Sequence, residues 1–335
     1  MSDARAFILD VRSQALLAQA IASAAALGIA DALAAGPMAV AELADHCGAK
    51  PDPLCRLLRT LAGHGIFAED DDGRFALTDG AQPLRSDRPD SLYPLLAGEF
   101  PSLVWATFGE LEAAIRTGDV AFERAHGAPF FDYLAANPRA NASFDRAMAL
   151  VAATEHPLIA ASYDFARFGT VADIGGGQGG LLAAILGRYP EVRGLLFDQP
   201  QVIDEPAELQ AAGLLERCEL VGGDFFASVP AGADLYLLKR ILHDWDDAEA
   251  IAILRSVRAA TGAGGRLAVI DAVMRPGNAP DPNKDLDLNI MALTGGRERT
   301  EAEFVALFAA AGFALDAVRP LPPPATLSIV EARPQ

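Results

Sequence analysis

Val171–Gly180, reading VADIGGGQGG, is the stretch on which the fold of this 335-residue chain turns. An apolar lead-in of Val171, Ala172 and Ile174 runs into three glycines, one polar residue and two more glycines. Leu181-Leu182-Ala183-Ala184-Ile185-Leu186 follows and reads as a helix. Strand, glycine turn and helix N-terminus, in that order, let a ligand approach bare backbone N–H groups at the positive end of a helix dipole. A glycine turn with no ligand is the plainer alternative.

Two glycine patterns fit the same string. Gly175, Gly177 and Gly180 match the G-x-G-x-x-G of dinucleotide sites, and Gly175, Gly177 and Gly179 match the G-x-G-x-G loop of methyl-donor sites. Asp173 discriminates between them. A carboxylate at the mouth of the turn repels a pyrophosphate but attracts the ammonium of S-adenosylmethionine. Asp198, 23 residues after Gly175, closes the next apolar run, Gly194-Leu195-Leu196-Phe197. An acid there suits a ribose diol under either reading.

Composition narrows the classes further. The chain is long enough for two domains, since single cores stop growing near ~250–300 residues. It is 51% hydrophobic, and 27 Lys and Arg stand against 45 Asp and Glu, a net charge of −18. That balance disfavours nucleic acid and anionic membrane surfaces as partners. Cys47, Cys55 and Cys218 form no C-x-x-C pair, which points to reduced thiols in a cytoplasmic protein. The uncharged stretch 13–30 is alanine-rich and interrupted by Gln14 and Gln19, so it reads as a buried or interface helix, not a membrane span.

Residues 14–34 read as a first helix, followed by helices at Val40–Ala44 and Pro53–Leu61 and a hairpin around Gly65–Phe67 and Arg74–Thr78. Helix, turn, helix and wing make a winged-helix module. Its second helix offers only Arg56 and Arg59, and its wing turn is Glu69-Asp70-Asp71-Asp72, so self-association is a better use for it than DNA. Residues 80–165 look like a helical connector, with helices at 92–116, 130–136 and 140–153. Phe144 and Met148 share a face there at i, i+4 and are candidates to line a pocket for a flat ring. From 170 onward, strands at 171–174, 194–198, 218–222, 234–238 and 266–271 alternate with helices at 179–188, 200–211 and 247–260. A helix at 304–311 and strands at 313–319 and 326–332 complete a doubly wound, seven-stranded α/β sheet with an antiparallel last strand.

Ligands of such sheets bind beyond the carboxyl ends of the strands. Those ends carry Asp173, Asp198, the run Gly222-Gly223-Asp224-Phe225-Phe226, the run Lys239 to Asp246, and Asp271. An acid followed by aromatics suits an adenine, with a carboxylate for its amine and a ring for its face.

DIGGGQG, FDQPQVI, GGDFF, LKRILHDWDD, GGRLAVIDAV and GGRERTEAEF follow one another along the chain. Together they resemble the S-adenosylmethionine-dependent O-methyltransferases of the plant caffeate and bacterial hydroxyneurosporene or polyketide type. The resemblance covers the whole chain and rests most firmly on HDW with GGRERT about fifty residues later. It implies a class I methyltransferase, Rossmann-like catalytic domain over 166–335 and a winged-helix dimerisation domain over 1–80. Residues 81–165 become a connector that contributes to the acceptor pocket. It further implies a homodimer, S-adenosylmethionine as cofactor and S-adenosylhomocysteine as product. Gly175, Asp198, Asp224, Phe225 and Lys239 match cofactor-binding positions, with Phe225 where relatives often have Met. Asp173, Gly177 and Trp245 complete the expected cofactor set. His243 matches the general base, flanked and oriented by Asp271, often Glu in relatives, and by Glu298. Met148 and Met291 fall where relatives contact the acceptor ring.

The chemistry is consistent with those roles. A phenol, of pKa about 10, becomes a good nucleophile when a neutral imidazole takes its proton. A carboxylate on the far ring nitrogen fixes the tautomer and stabilises the cation. No metal is expected, because the methyl leaves a positive sulfonium and the five His residues show no metal spacing. The expected substrate is a small aromatic hydroxyl compound. Two rival readings stay open: the same scaffold running another reaction, such as hydroxylation or decarboxylation, and a winged-helix regulator that senses a ligand.

Overall fold

The computed structural model describes residues 4–88, 90–204 and 206–335. Two compact units emerge: Met1–Trp105 with Leu134–Leu150, and Ala106–Tyr133 with Val151–Gln335.

In the first unit, helix α1 (Ala4–Ala26) starts well before the expected residue 14. It ends where Gly28 takes a left-handed φ of 66°. Its second half buries Ala20, Ala24 and Ala25, while Phe7, Ile8, Leu9 and Val11 in the first half are more than half exposed. Helices α2 (Val40–Cys47) and α3 (Pro51–Gly63) follow, the second with Pro in its first turn, where the missing N–H costs nothing. Strands β1 (Met38–Ala39), β2 (Phe67–Glu69) and β3 (Arg74–Leu77) pair antiparallel in the order β1-β3-β2. Leu43, Leu54, Leu58, Leu61, Phe67 and Phe75 fill the core between helices and wing. Burying each is worth about 1.5–3 kcal/mol. Both arginines that a DNA-reading helix would offer are engaged by carboxylates, Arg59 with Glu69 of the wing at 2.9 Å and Arg56 with Asp52 at 3.2 Å.

Helix α4 (Pro138–Ser162) is longer than the expected 140–153, and the division between the units falls within it. The second unit is built on β4 (Thr170–Ile174), β5 (Arg193–Asp198), β6 (Cys218–Gly222), β7 (Leu235–Lys239) and β8 (Arg266–Met274). All five run parallel and are joined by crossovers through helices such as α5 (Gly180–Arg188) and α6 (Asp247–Ala260). The expected helix at 200–211 is two short pieces, Pro200–Ile203 and Ala207–Ala211. Helix α7 (Pro282–Leu293) stands where no helix was expected. The two-residue strand β9 (Arg299–Thr300) pairs with β8 outside the main order, so the sheet has eight strands among the described residues, seven of them on the main path. Helix α8 (Glu301–Ala310) leads into β10 (Phe313–Pro320) and β11 (Leu327–Pro334). The strand order is β10-β11-β8-β7-β4-β5-β6, with β11 antiparallel to both neighbours. The central strands are buried on both faces, which is why they read as continuous apolar runs and do not alternate.

Candidate active site

The loop after β4 is shaped by backbone. Gly175, Gly177 and Gly179 adopt φ of 71°, 58° and 82°, which L side chains rarely take. At Gly175 a Cβ would also meet Ile241 Cδ1 at 2.5 Å. Asp198, at the end of β5, accepts hydrogen bonds from the Gly177 N–H at 2.8 Å and the Gln199 N–H at 2.7 Å. Burial still holds its carboxyl above the ordinary range. Asp173 is 2% exposed, and burial pushes its carboxyl up to about 7 against the pull of Lys239. Beyond β6, the Asp224 carboxylate accepts from the Phe226 N–H at 2.8 Å, and Phe225, Phe226 and Trp245 meet edge to face. Phe131 stacks on Trp245 at 6.4 Å. Phe226 was expected only as part of the aromatic run beside Asp224, and Phe131 was not expected at the cofactor site.

This donor set fits S-adenosylmethionine better than a dinucleotide. Carboxylates end three successive strands, and Lys239 at the end of β7 is already paired with Glu155 at 2.8 Å. A pyrophosphate would meet repulsion there, whereas an ammonium, a sulfonium and a ribose diol find acceptors.

The loop after β7 is shaped by side chains. Leu242–Asp244 forms a 3-10 turn, and Asp246 caps α6 through a reciprocal capping box with Glu249. His243 is 5% exposed, and its Nδ1 lies 2.7 Å from Glu298 Oε1, while Nε2 lies 3.8 Å from Asp244 Oδ1. Asp271 departs from expectation. It sits at the end region of β8, 1% exposed, yet neither of its oxygens has a hydrogen-bond partner, so it acts on His243 only through its field. Glu298 Oε2 is also unpartnered. Burial drives Asp271 and Glu298 up to about 7 and Asp244 up to about 6.

Residues of the GGRERT run clasp this loop. The buried Arg299 guanidinium donates to the carbonyls of Leu242 at 2.8 Å and Trp245 at 3.0 Å, and to Asp247 at 2.9 Å. The Arg297 N–H donates to the His243 carbonyl at 2.8 Å, and a Cβ at Gly296 would strike that same carbonyl. The Glu298 N–H donates to Asp287 Oδ1 of α7 at 2.8 Å. Met291 lies one turn beyond Asp287 on that helix and is partly buried. Asp287 carried no signal in the sequence, and Arg299 was visible only as part of its motif. Phe144 and Met148 belong to the first unit, where Phe144 packs edge to face on Phe100 at 5.2 Å.

Residues 108–314 match the O-methyltransferase domain, and residues 10–86 match the O-methyltransferase dimerisation domain. Phenazine O-methyltransferase PhzM of Lysobacter antibioticus is 46% identical over 319 residues, covering 94% of this chain and 92% of that protein. Aclacinomycin 10-hydroxylase RdmB of Streptomyces purpurascens is 35% identical over 320 residues, covering 90% and 82%. Among solved structures, the O-methyltransferase NcsB1 from neocarzinostatin biosynthesis, in complex with S-adenosylmethionine and 2-hydroxy-5-methyl naphthoic acid, is similar at a TM-score of 0.86. It is 37% identical, and the match covers 95% of this chain and 96% of that one. The chain belongs to the S-adenosylmethionine-dependent O-methyltransferase family, with its class I fold and its N-terminal dimerisation domain.

Proposed function

We propose that this enzyme methylates a hydroxyl group, phenolic in character, on a small aromatic secondary metabolite, with His243 as general base. The observation that carries the reading is the buried His243–Glu298 pair at 2.7 Å, one loop away from the glycine turn. S-adenosylmethionine, when bound, supplies an electrophilic methyl group and leaves as S-adenosylhomocysteine. Asp198 holds the ribose, Asp224, Phe225 and Trp245 the adenine, and Asp173, Gly175, Gly177 and Lys239 the amino-acid end. With Nδ1–H donated to Glu298, Nε2 carries the lone pair that accepts the phenol proton. Asp244 and Asp271 stabilise the resulting imidazolium through their negative fields. Met291 contacts the acceptor ring.

Residues 1–80 form the dimerisation module of a homodimer, 81–165 the connector and 166–335 the catalytic domain. Exposed Phe7 and Val11 share one face of α1 at i, i+4, which suits burial against a second copy. Sedimentation of a monomer at micromolar concentration would refute the dimer.

Calorimetry with S-adenosylhomocysteine and NAD, together with mass spectrometry of a phenol, naphthol and phenazinol panel, tests the activity. Binding of the first nucleoside, negligible binding of NAD and a methylated product are expected. Tighter NAD binding would sink the cofactor assignment. Cofactor binding without methylation across the panel would favour the hydroxylase-like reading that the 35% identical relative keeps open.

A further inference from the structure

Two cations leave β7 side by side, Lys239 and Arg240, and a single carboxylate takes both. Glu155 of α4, 5% exposed, receives Lys239 Nζ at 2.8 Å and Arg240 Nη2 at 2.5 Å, with Arg240 Nε at 3.1 Å. Burial alone would raise the Glu155 carboxyl, but the two cations outweigh it and hold it below its ordinary value. The adjacent His156 adds no cation, since burial brings its imidazole down to about 4.

Arg240 stands at φ 54°, the non-glycine residue with positive φ among the described residues. Such a backbone persists where its surroundings over-determine it, and it gathers at functional sites. Here the Glu155 grip fixes the side chain while the Arg240 N–H donates to the Ile270 carbonyl at 3.1 Å. The turn made at Arg240 sends Ile241 against Gly175 and carries His243 toward Glu298. The two cations also face opposite ways electrostatically. Lys239 acts on Asp173, and Arg240 acts on Asp244, Asp271 and Glu298.

We propose that Glu155 is a positioning residue whose carboxylate, by gripping Lys239 and Arg240 together, fixes the turn between the cofactor loop and the His243 loop and sets cofactor affinity and turnover at once. The proposal rests on the methyl-transfer reading above for its second half. Nothing in the expected site pointed to Glu155.

The test compares Glu155→Gln and Glu155→Asp with wild type in the full chain, well below each unfolding midpoint. In Glu155→Gln, S-adenosylhomocysteine affinity by calorimetry should fall roughly tenfold or more, as for loss of a charge-assisted hydrogen bond. Turnover at saturating S-adenosylmethionine should fall as well. The acid limb of kcat/KM should move to lower pH, because Arg240, which acts on Asp244, Asp271 and Glu298, then has no carboxylate of its own to offset its charge. Glu155→Asp should restore part of both losses. A folded Glu155→Gln that only unfolds at a lower temperature, with affinity, turnover and pH profile intact, would overturn the proposal. If Glu155→Gln does not fold, a Glu155→Asp enzyme of wild-type affinity and turnover overturns it equally. Calorimetry needs no acceptor, so wild type that binds S-adenosylhomocysteine but methylates no phenol would refute the activity and still leave the affinity loss to decide on Glu155.

Discussion

The loop after β4 and the loop after β7 serve one site by opposite means. The first is the five residues Gly175–Gly179 between β4 and α5, their shape enforced by left-handed glycines and one carboxylate, Asp198. The second is an assembly of Glu155, His243, Asp271, Asp287, Glu298 and Arg299, drawn from five separate elements. A backbone site is intolerant of an added Cβ. A side-chain site answers to every charge around it.

His243→Ala should separate the two loops most sharply. Affinity for S-adenosylhomocysteine should stay within about twofold of wild type, while turnover falls ~10²–10⁴-fold, as on loss of a general base. The deficit should shrink as pH approaches the pKa of the acceptor, where phenolate forms unaided. A variant that stays inactive at high pH would make the imidazole a positioning group, and a fully active one would remove it from the chemistry.

Asp198→Ala should do the reverse and weaken nucleoside binding by roughly 1.5–3 kcal/mol, the range for hydrogen bonds to a charged group. Turnover at saturating cofactor should be nearly retained. An unchanged dissociation constant would break the contrast.

Asp271→Asn should have the smallest effect and expose the pH sensitivity of the second loop. Burial raises the Asp271 carboxyl from 3.8 to about 7 in the fold, so its contribution to stability is complete below about pH 4 and lost as pH rises through 7. The thermal midpoint of wild type should therefore decline between about pH 4 and 7, and the asparagine variant should decline less. Parallel slopes for the two proteins would mean that Asp271 titrates as an ordinary carboxyl.

The same contrast explains what could be read in advance. The glycine loop, Asp173 and Asp198 were legible because ten neighbouring residues and the next strand end contain the whole device. His243 and Glu298 stand 55 positions apart, and only the resemblance joined them. Asp271 was expected to flank and orient the imidazole, and its two oxygens have no hydrogen-bond partner. Glu155 and Asp287 were invisible, since a carboxylate on a helix looks solvated until tertiary packing brings cations or an N–H to it. Helix α7 escaped notice because Asn283, Lys284, Asp285, Asp287 and Asn289 interrupt any apolar stripe. Its start signal was nonetheless present, with Asp281 accepting from the Asn283 N–H and Pro282 in the first turn. Helix α1 was begun too late because Asp10 and Arg12 interrupt the apolar run of its first half, Phe7, Ile8, Leu9 and Val11.

The order of strands bears on synthesis at the ribosome. β11 lies between β8 and β10 but is translated after both. Until it arrives, β8 offers an open apolar edge to the surrounding solution. The residues that close it, Leu327, Ile329, Val330 and Ala332, are buried in the finished sheet, along with Glu331, which Arg167 and Arg319 neutralise. A nascent chain halted after β10 is thus a sticky intermediate, open to edge-to-edge pairing with its neighbours on a polysome.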